Sequence, residues 1–153
     1  MIEVEKPLVT LSPPQHIGFV VKSVDRAIDH YRSNFGWGPF NIFEMEMEDF
    51  KYRGKPGNCR LKIAIAQTGP VQVEFIEVLD GESPHTEFLQ EKGEGMHHLC
   101  YEVESLDRIL ADLADKGMET ALYQDYPDRG LTVAYVDSTA VGGIMLELIE
   151  RRG

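Results

Sequence analysis

Laid over itself with an offset of 82 positions, the sequence repeats: His16–Tyr31 matches His98–Leu113, with His, Val, Ser, Asp and Arg identical at 16/98, 21/103, 23/105, 25/107 and 26/108. Five identities in sixteen positions compare with about one supplied by ordinary residue frequencies. Most of the other positions exchange one apolar residue for another. The far ends correspond as well, Glu74-Phe-Ile-Glu77 lying over Glu147-Leu-Ile-Glu150. Each copy carries one amphipathic helix too poor in partners to be stable alone, so the two must pack as one unit.

Within the first copy, His16–Val21 reads as a strand. Ser23 predicts the N-cap of a helix to about Phe35, with Gly36 past its end and Ala27, Ile28, Tyr31 and Phe35 as its apolar stripe. Residues 40–53 alternate, Met45 and Met47 against Glu44, Glu46 and Glu48, the period of a strand with one wet face. Gly54-Lys-Pro-Gly57 predicts a turn, and Arg60–Ala66 and Val71–Leu79 two further strands. Ser83-Pro84 opens a short helix that stops at Gly93. In the second copy His98–Val103 is a strand and Ser105 caps a helix ending near Gly117. Strands follow at about Glu119–Tyr123, Leu131–Asp137 and Gly143–Ile149. The expected fold is α+β, one domain over 1–153 made of two tandem βαβββ modules, about 14–79 and 96–150, joined by a helical linker at 80–95. They should form a curved sheet with its helices outside and a site inside.

Charge narrows the partners. Lys and Arg number 15 against 26 Asp and Glu, a net charge of −11, with no basic run to offset it. That disfavours a nucleic-acid backbone or an anionic membrane. The long uncharged stretch Leu8–Val21 is broken by Pro13-Pro14, so no membrane span is expected. Met1–Lys6 has no basic region leading into an apolar run, hence no secretory signal; Cys59 and Cys100 are then expected as reduced thiols in the cytoplasm.

The repeat places a His at the start of each module, His16 and His98, and a Glu on each last strand, Glu74 and Glu147. Two imidazoles and two carboxylates from equivalent places of a concave sheet suit a borderline divalent ion: Zn, Co, Ni, Mn or Fe(II). Alternation puts His16 on one face with Gly18 and Val20, and Ile17, Phe19 and Val21 on the other, where a helix needs apolar contact. Glu147 lies between Leu146 and Leu148, where an unpartnered carboxylate is costly. A lone strand His is more often a core or surface residue, and an edge-strand Glu is usually just solvated; four at equivalent places change that balance. His97 is expected on the opposite face from His98 in a structural role, and His30 and His85 on the surfaces of helices.

The βαβββ duplication with His16-Ile-Gly-Phe and His98-Leu-Cys-Tyr-Glu-Val resembles the vicinal oxygen chelate superfamily of glyoxalases, extradiol dioxygenases and bleomycin-resistance proteins. Within it, Asp80-Gly-Glu-Ser-Pro84, Phe88-Leu-Gln-Glu-Lys-Gly93, Gly95-Met-His-His-Leu99 and Gly142-Gly-Ile-Met-Leu-Glu-Leu148 are similar to the methylmalonyl-CoA epimerases. The resemblance covers about 15–150 and implies metal ligands at His16, Glu74, His98 and Glu147, the set the repeat selects. It also implies a homodimer and a small-molecule thioester substrate, an acyl-CoA whose α-proton moves through an enolate with Glu147 as acid/base. The family's second base is a Glu just before a Gly-Val strand of the first module. Here that stretch reads Tyr52-Arg-Gly-Lys-Pro-Gly-Asn-Cys59, without it. Glu46 and Glu48 lie nearby, and Glu48 is carried as a candidate, although a plain solvent face accounts for both. Arg53, Lys55 and Arg60 could meet an acidic substrate group; scattered surface basic residues are the simpler account. The alternatives are a glyoxalase I-like lactoylglutathione lyase, which uses the same four-ligand geometry, and a non-enzymatic small-molecule-binding protein. An extradiol dioxygenase would need only one His-His-Glu triad, so Glu74 counts against it.

Overall fold

The computed structural model describes residues 6–153; the opening residues through Glu5, and with them most of the segment read for a signal, lie outside it. Eight strands close into one barrel in the order β1-β4-β3-β2-β6-β7-β8-β5. The first module contributes β1 (His16–Val20), α1 (Val24–Phe35), β2 (Asn41–Tyr52), β3 (Lys55–Gln67) and β4 (Gln72–Gly81). After α2 (Pro84–Lys92) the second contributes β5 (Gly95–Glu102), α3 (Leu106–Asp115), β6 (Thr120–Tyr126), β7 (Leu131–Asp137) and β8 (Met145–Arg151). In each module the first strand runs parallel to the last, β1 with β4 and β5 with β8. The modules join at two antiparallel seams, β1 with β5 and β2 with β6. The second seam is short: only Lys51↔Tyr123 and Tyr52↔Leu122 pair, so β2 and β6 diverge below that point.

Outside the barrel, α1 lays Val24, Ala27, Ile28 and Tyr31 on Phe19, Ala64, Val73 and Phe75, while α3 covers Ala134, Val136 and Leu148. Val24 and Leu106 are fully buried, and side chains of that size contribute about 1.5–3 kcal/mol each. Phe35, expected on the α1 stripe, is exposed instead, because Gly36 adopts a left-handed conformation there and turns the chain away. The repeated Glu-Xaa-Xaa-Glu explains itself through parity. Residues three apart on a strand face opposite sides. The first Glu of each pair therefore points into the barrel. The second reaches out to a helix start: Glu77 accepts from Val24 N at 2.9 Å, and Glu150 accepts from Ser105 N at 2.8 Å. A carboxylate there satisfies orphan amides and meets the positive end of the helix dipole. Ser23 caps α1 as expected, but Ser105, at φ 56°, makes no side-chain cap bond and leaves that work to Glu150.

Two local expectations change. The β2–β3 hairpin turns on Arg53-Gly54, both at positive φ, with Tyr52 opposite Lys55, so Pro56 and Gly57 belong to β3. At the β1–β5 seam Gly18 pairs with His98 but Phe19 with Met96, so His97 is an extra residue, a bulge.

Candidate metal centre

All four residues selected by the repeat converge inside the barrel, each from a different strand: His16 on β1, Glu74 on β4, His98 on β5 and Glu147 on β8. His16 Nε2 lies 3.0 Å from His98 Nε2 and 3.1 Å from Glu147 Oε2. His98 Nε2 lies 2.9 Å from Glu147 Oε2 and 3.4 Å from Glu74 Oε1, which is 3.6 Å from His16 Nε2. Donors held about 2.1 Å from one ion at right angles are separated by roughly 3.0 Å, and wider angles lengthen that edge. These five edges fit donors gathered about a single divalent ion with open positions, and the nitrogen/oxygen donor set fits the borderline metals. Cys100, paired with both His16 and Glu147 across its two neighbouring strands, is the nearest thiol. Burial first, then Glu147 and Glu74, push it well above its ordinary range, so it stands by as a neutral thiol.

The electrostatics are those of donors waiting for a cation. Burial works to lower the His98 imidazole, but the Glu147 and Glu74 carboxylates raise it to about 9. The same contest leaves His16 raised. Burial works to raise Glu147, and the two imidazoles outweigh it, holding the carboxyl well below its usual range.

Gly18 makes room for this geometry. A Cβ there would stand 2.0 Å from His98 Cε1 and 2.3 Å from its Nε2. Behind His98, the bulge turns His97 inward rather than away, against expectation, and sets His97 Nδ1 2.9 Å from His98 Nδ1. With His98 Nδ1–H donating, its Nε2 is left free for the ion, the usual second contact of a ligating imidazole. His85 also departs from expectation. It is buried at the inner face of α2, with Nε2 3.1 Å from Tyr135 Oη and Nδ1 3.3 Å from Ser83 Oγ. Burial drives it down to about 3, so it is neutral. His30 is exposed, as expected.

A cavity of about 260 Å³ adjoins the cluster, with His16, Glu74 and Glu147 on one side. Met45, Met47, Leu61, Ile63, Ile76 and Val133 give it aliphatic walls, and Gln15, Gln72, Arg129 and Arg151 stand at its open end. Glu48 is not brought to it: with Glu46 it lies on the outer face of β2, beside Asn58, Arg60 and Asp80, because Met45 and Met47 take the inward positions. Nor do the basic candidates reach it. Arg53 is spent on Glu87, Asp137 and Glu119, and Arg60 pairs with Glu44 at the surface. A larger depression of about 420 Å³ over α1 lies outside the barrel and away from the cluster.

A barrel of two βαβββ modules around a His2Glu2 cluster defines the vicinal oxygen chelate class. The chain belongs to the glyoxalase/bleomycin resistance protein/dioxygenase superfamily, whose profile matches residues 15–135. Proteins of this superfamily generally bind divalent metals. The chain is 28% identical over 141 residues to the uncharacterized protein YqjC of Bacillus subtilis, covering 90% of this chain and 91% of that one. It is 24% identical over 144 residues to the mitochondrial methylmalonyl-CoA epimerase of Mus musculus, covering 93% of this chain and 75% of the relative. Its fold matches a variant of the Streptomyces coelicolor methylmalonyl-CoA epimerase solved with 2-nitronate-propionyl-CoA, with a TM-score of 0.67 and 20% identity, covering 94% of this chain and all of that one.

Proposed function

We propose that this protein is a metal-dependent isomerase that moves the α-proton of an acyl-CoA thioester, inverting the carbon beside the thioester carbonyl. The observation that carries the reading is the position of Glu147, which is at once part of the four-donor cluster and part of the wall of a cavity with a largely apolar lining. Similarity to epimerases over most of the chain supports it. His16, Glu74, His98 and Glu147 would hold the ion, with Co, Zn, Ni, Mn and Fe(II) as candidates. When bound, a divalent ion supplies Lewis-acid stabilisation of a developing oxyanion. The protein's own groups do the rest. The aliphatic walls exclude water from the reacting carbon. His97 fixes the orientation of His98, and the Glu147 carboxylate accepts the α-proton over a short path. The unbridged, buried Cys59 and Cys100 agree with a reducing compartment, and the reading places the protein in the cytoplasm, as a homodimer.

The test is metal analysis of the purified protein followed by α-proton exchange into D2O with methylmalonyl-CoA. Glu147→Gln keeps the size and one oxygen ligand but loses the basic oxygen. It should retain metal and substrate binding and slow exchange by at least about 10²-fold. Exchange at the parent rate, with metal still bound, would remove Glu147 from the proton path. The second reading, a glyoxalase-type lyase, is favoured by one observation: two of the four donors are carboxylates, and among the described residues no other carboxylate lines the cavity. A glutathione hemithioacetal in the same assay separates the two.

A further inference from the structure

Inversion of a carbon needs proton-handling groups on both of its faces, and the structure offers Glu147 on one only. The wall facing the cluster follows from the strand order. In the barrel β1 and β5 lie opposite β6 and β2, so a substrate resting against His16 and His98 has its far side toward those two strands. From β2 that wall receives Met45 and Met47, and from neighbouring β3 it receives Leu61 and Ile63. None of these carries a proton to give. Of the other cavity groups with exchangeable protons, Tyr135 pairs with Glu147 in register and so stands on its side, and its hydroxyl is tied to His85. His85 is in turn held by Ser83.

β6 is different. Tyr126 lines the cavity, and Gln124, two residues back, shares its face of the strand. Tyr126 Oη and Gln124 Oε1 are both buried without a hydrogen-bond partner among the described residues, and Gln124 as a residue is only 8% exposed. Leaving such atoms unpaired is costly, which makes them candidates for meeting a group from outside the chain. Arg129 sets its guanidinium 5.6 Å from the Tyr126 ring centre, at the open end of the same cavity. Because β2 and β6 part below Tyr52, this stretch of β6 also borders the gap between the two strands.

We propose that Tyr126 is the acid/base on the face opposite Glu147. The inference rests on the isomerase reading. In one direction the α-carbon's C–H bond breaks, its proton passes to Glu147 and its electron pair enters the enolate. The Tyr126 O–H bond then breaks as a new C–H bond forms on the other face. The phenolate regains a proton from water admitted as the product leaves, and Glu147 releases its own to solvent. In the reverse direction the phenolate takes the proton and Glu147 returns one. Burial raises the Tyr126 phenol and Arg129 draws it back down, so the hydroxyl carries its proton at neutral pH while the guanidinium stands ready for the phenolate.

The test separates exchange from inversion. Tyr126→Phe removes the hydroxyl and keeps the ring, so metal content, thermal unfolding and the dissociation constant for methylmalonyl-CoA should match the parent. In D2O, the variant should exchange the α-proton of the diastereomer served by Glu147 at close to the parent rate, yet invert it at least about 10²-fold more slowly. Inversion at the parent rate would overturn the assignment. So would loss of exchange and inversion together with metal retained, since Tyr126 would then belong to the deprotonating step. A parent protein that exchanges no α-proton would sink the isomerase reading and this assignment with it, a result distinct from a parent that exchanges and a variant that still inverts.

Discussion

Gly18→Ala should abolish tight metal binding without touching a ligand. Gly18 is not among the residues at positive φ, so the strand backbone accepts alanine there and the whole cost falls on what the new methyl meets. It meets the His98 ring: Cε1 at 2.0 Å, Nε2 at 2.3 Å and Nδ1 at 2.5 Å, while carbon atoms rest at 3.5 Å or more, so the imidazole must retreat by roughly 1.5 Å. His98 Nε2 lies 2.9 to 3.4 Å from the other three donor atoms, and metal bonds tolerate only about 0.2 Å of error. A shift several times that large removes one ligand of four. Losing even an outer partner of a ligand costs 10- to 100-fold in affinity, so the loss here should exceed about 10²-fold. The overpacking itself should destabilise the fold by about 1–3 kcal/mol. Metal titration of the apo-protein by calorimetry reads the first effect, and urea unfolding the second. The decisive control is the His98→Ala background. There the ring is gone, so adding Gly18→Ala should cost nothing further in stability, a coupling between neighbours that independent sites would not show. A Gly18→Ala protein with parent metal affinity would refute the placement of His98 against Gly18 and the ligand assignment built on it.

Metal affinity should climb with pH from 6 to 9, because the ion must displace protons from His98 and His16; calorimetry near pH 7 in buffers of differing ionisation enthalpy should show proton release, and a flat profile would refute the cluster's electrostatics. By linkage, the folded His98 at about 9 lies above its unfolded 6.5, so its contribution to apo-protein stability is full below pH 6.5 and fades as the pH rises through 9. Glu77→Ala and Glu150→Ala should each cost about 0.5–2 kcal/mol in denaturant unfolding while leaving metal content unchanged, and a metal loss in either would mean that these outward carboxylates do more than anchor helices. Arg53→Ala should also leave metal content unchanged but lower stability by about 1–3 kcal/mol, since Arg53 ties the β2–β3 hairpin to Glu87 on α2 and to Asp137 at the end of β7; an unchanged unfolding midpoint would show those pairs to be idle.

What the sequence discloses depends on whether the information is repeated. His16, His98, Glu74 and Glu147 stand at equivalent positions of two copies of one strand pattern, and parity carries all four inward, so the cluster is legible without any structure. Features present once are not. His97 escapes because a bulge breaks the alternation from which its direction is read. His85 escapes because a nine-residue helix says nothing of the barrel end it adjoins, and its burial comes wholly from tertiary packing. Arg53 sits in the turn at φ 47° and pairs with three carboxylates distant in sequence, none of which a local pattern announces, so local glycine and proline drew the expected turn two residues too far along. Barrel closure rests on two residue pairs between β2 and β6, far too slight a signal to leave a pattern.

The division between repeated and unrepeated residues is also a division of labour. Binding one ion calls for like groups arranged symmetrically, and duplication supplies them: one His and one Glu from each half, meeting at the β1–β5 seam, so that neither half can assemble the cluster alone. Turning a substrate carbon inside out calls for the opposite, unlike groups on its two faces. The two copies differ at the other seam, where β2 carries Met45 and Met47 and β6 carries Gln124 and Tyr126. A barrel with two methionine lips would hold an ion and an apolar molecule but could deliver a proton from one side only. On the proposed reading, the polar lip on β6 is what would separate an isomerase from a mere binder within the same fold, and for that reason the exchange and inversion rates of Tyr126→Phe bear on that proposal more directly than any change at the His/Glu cluster.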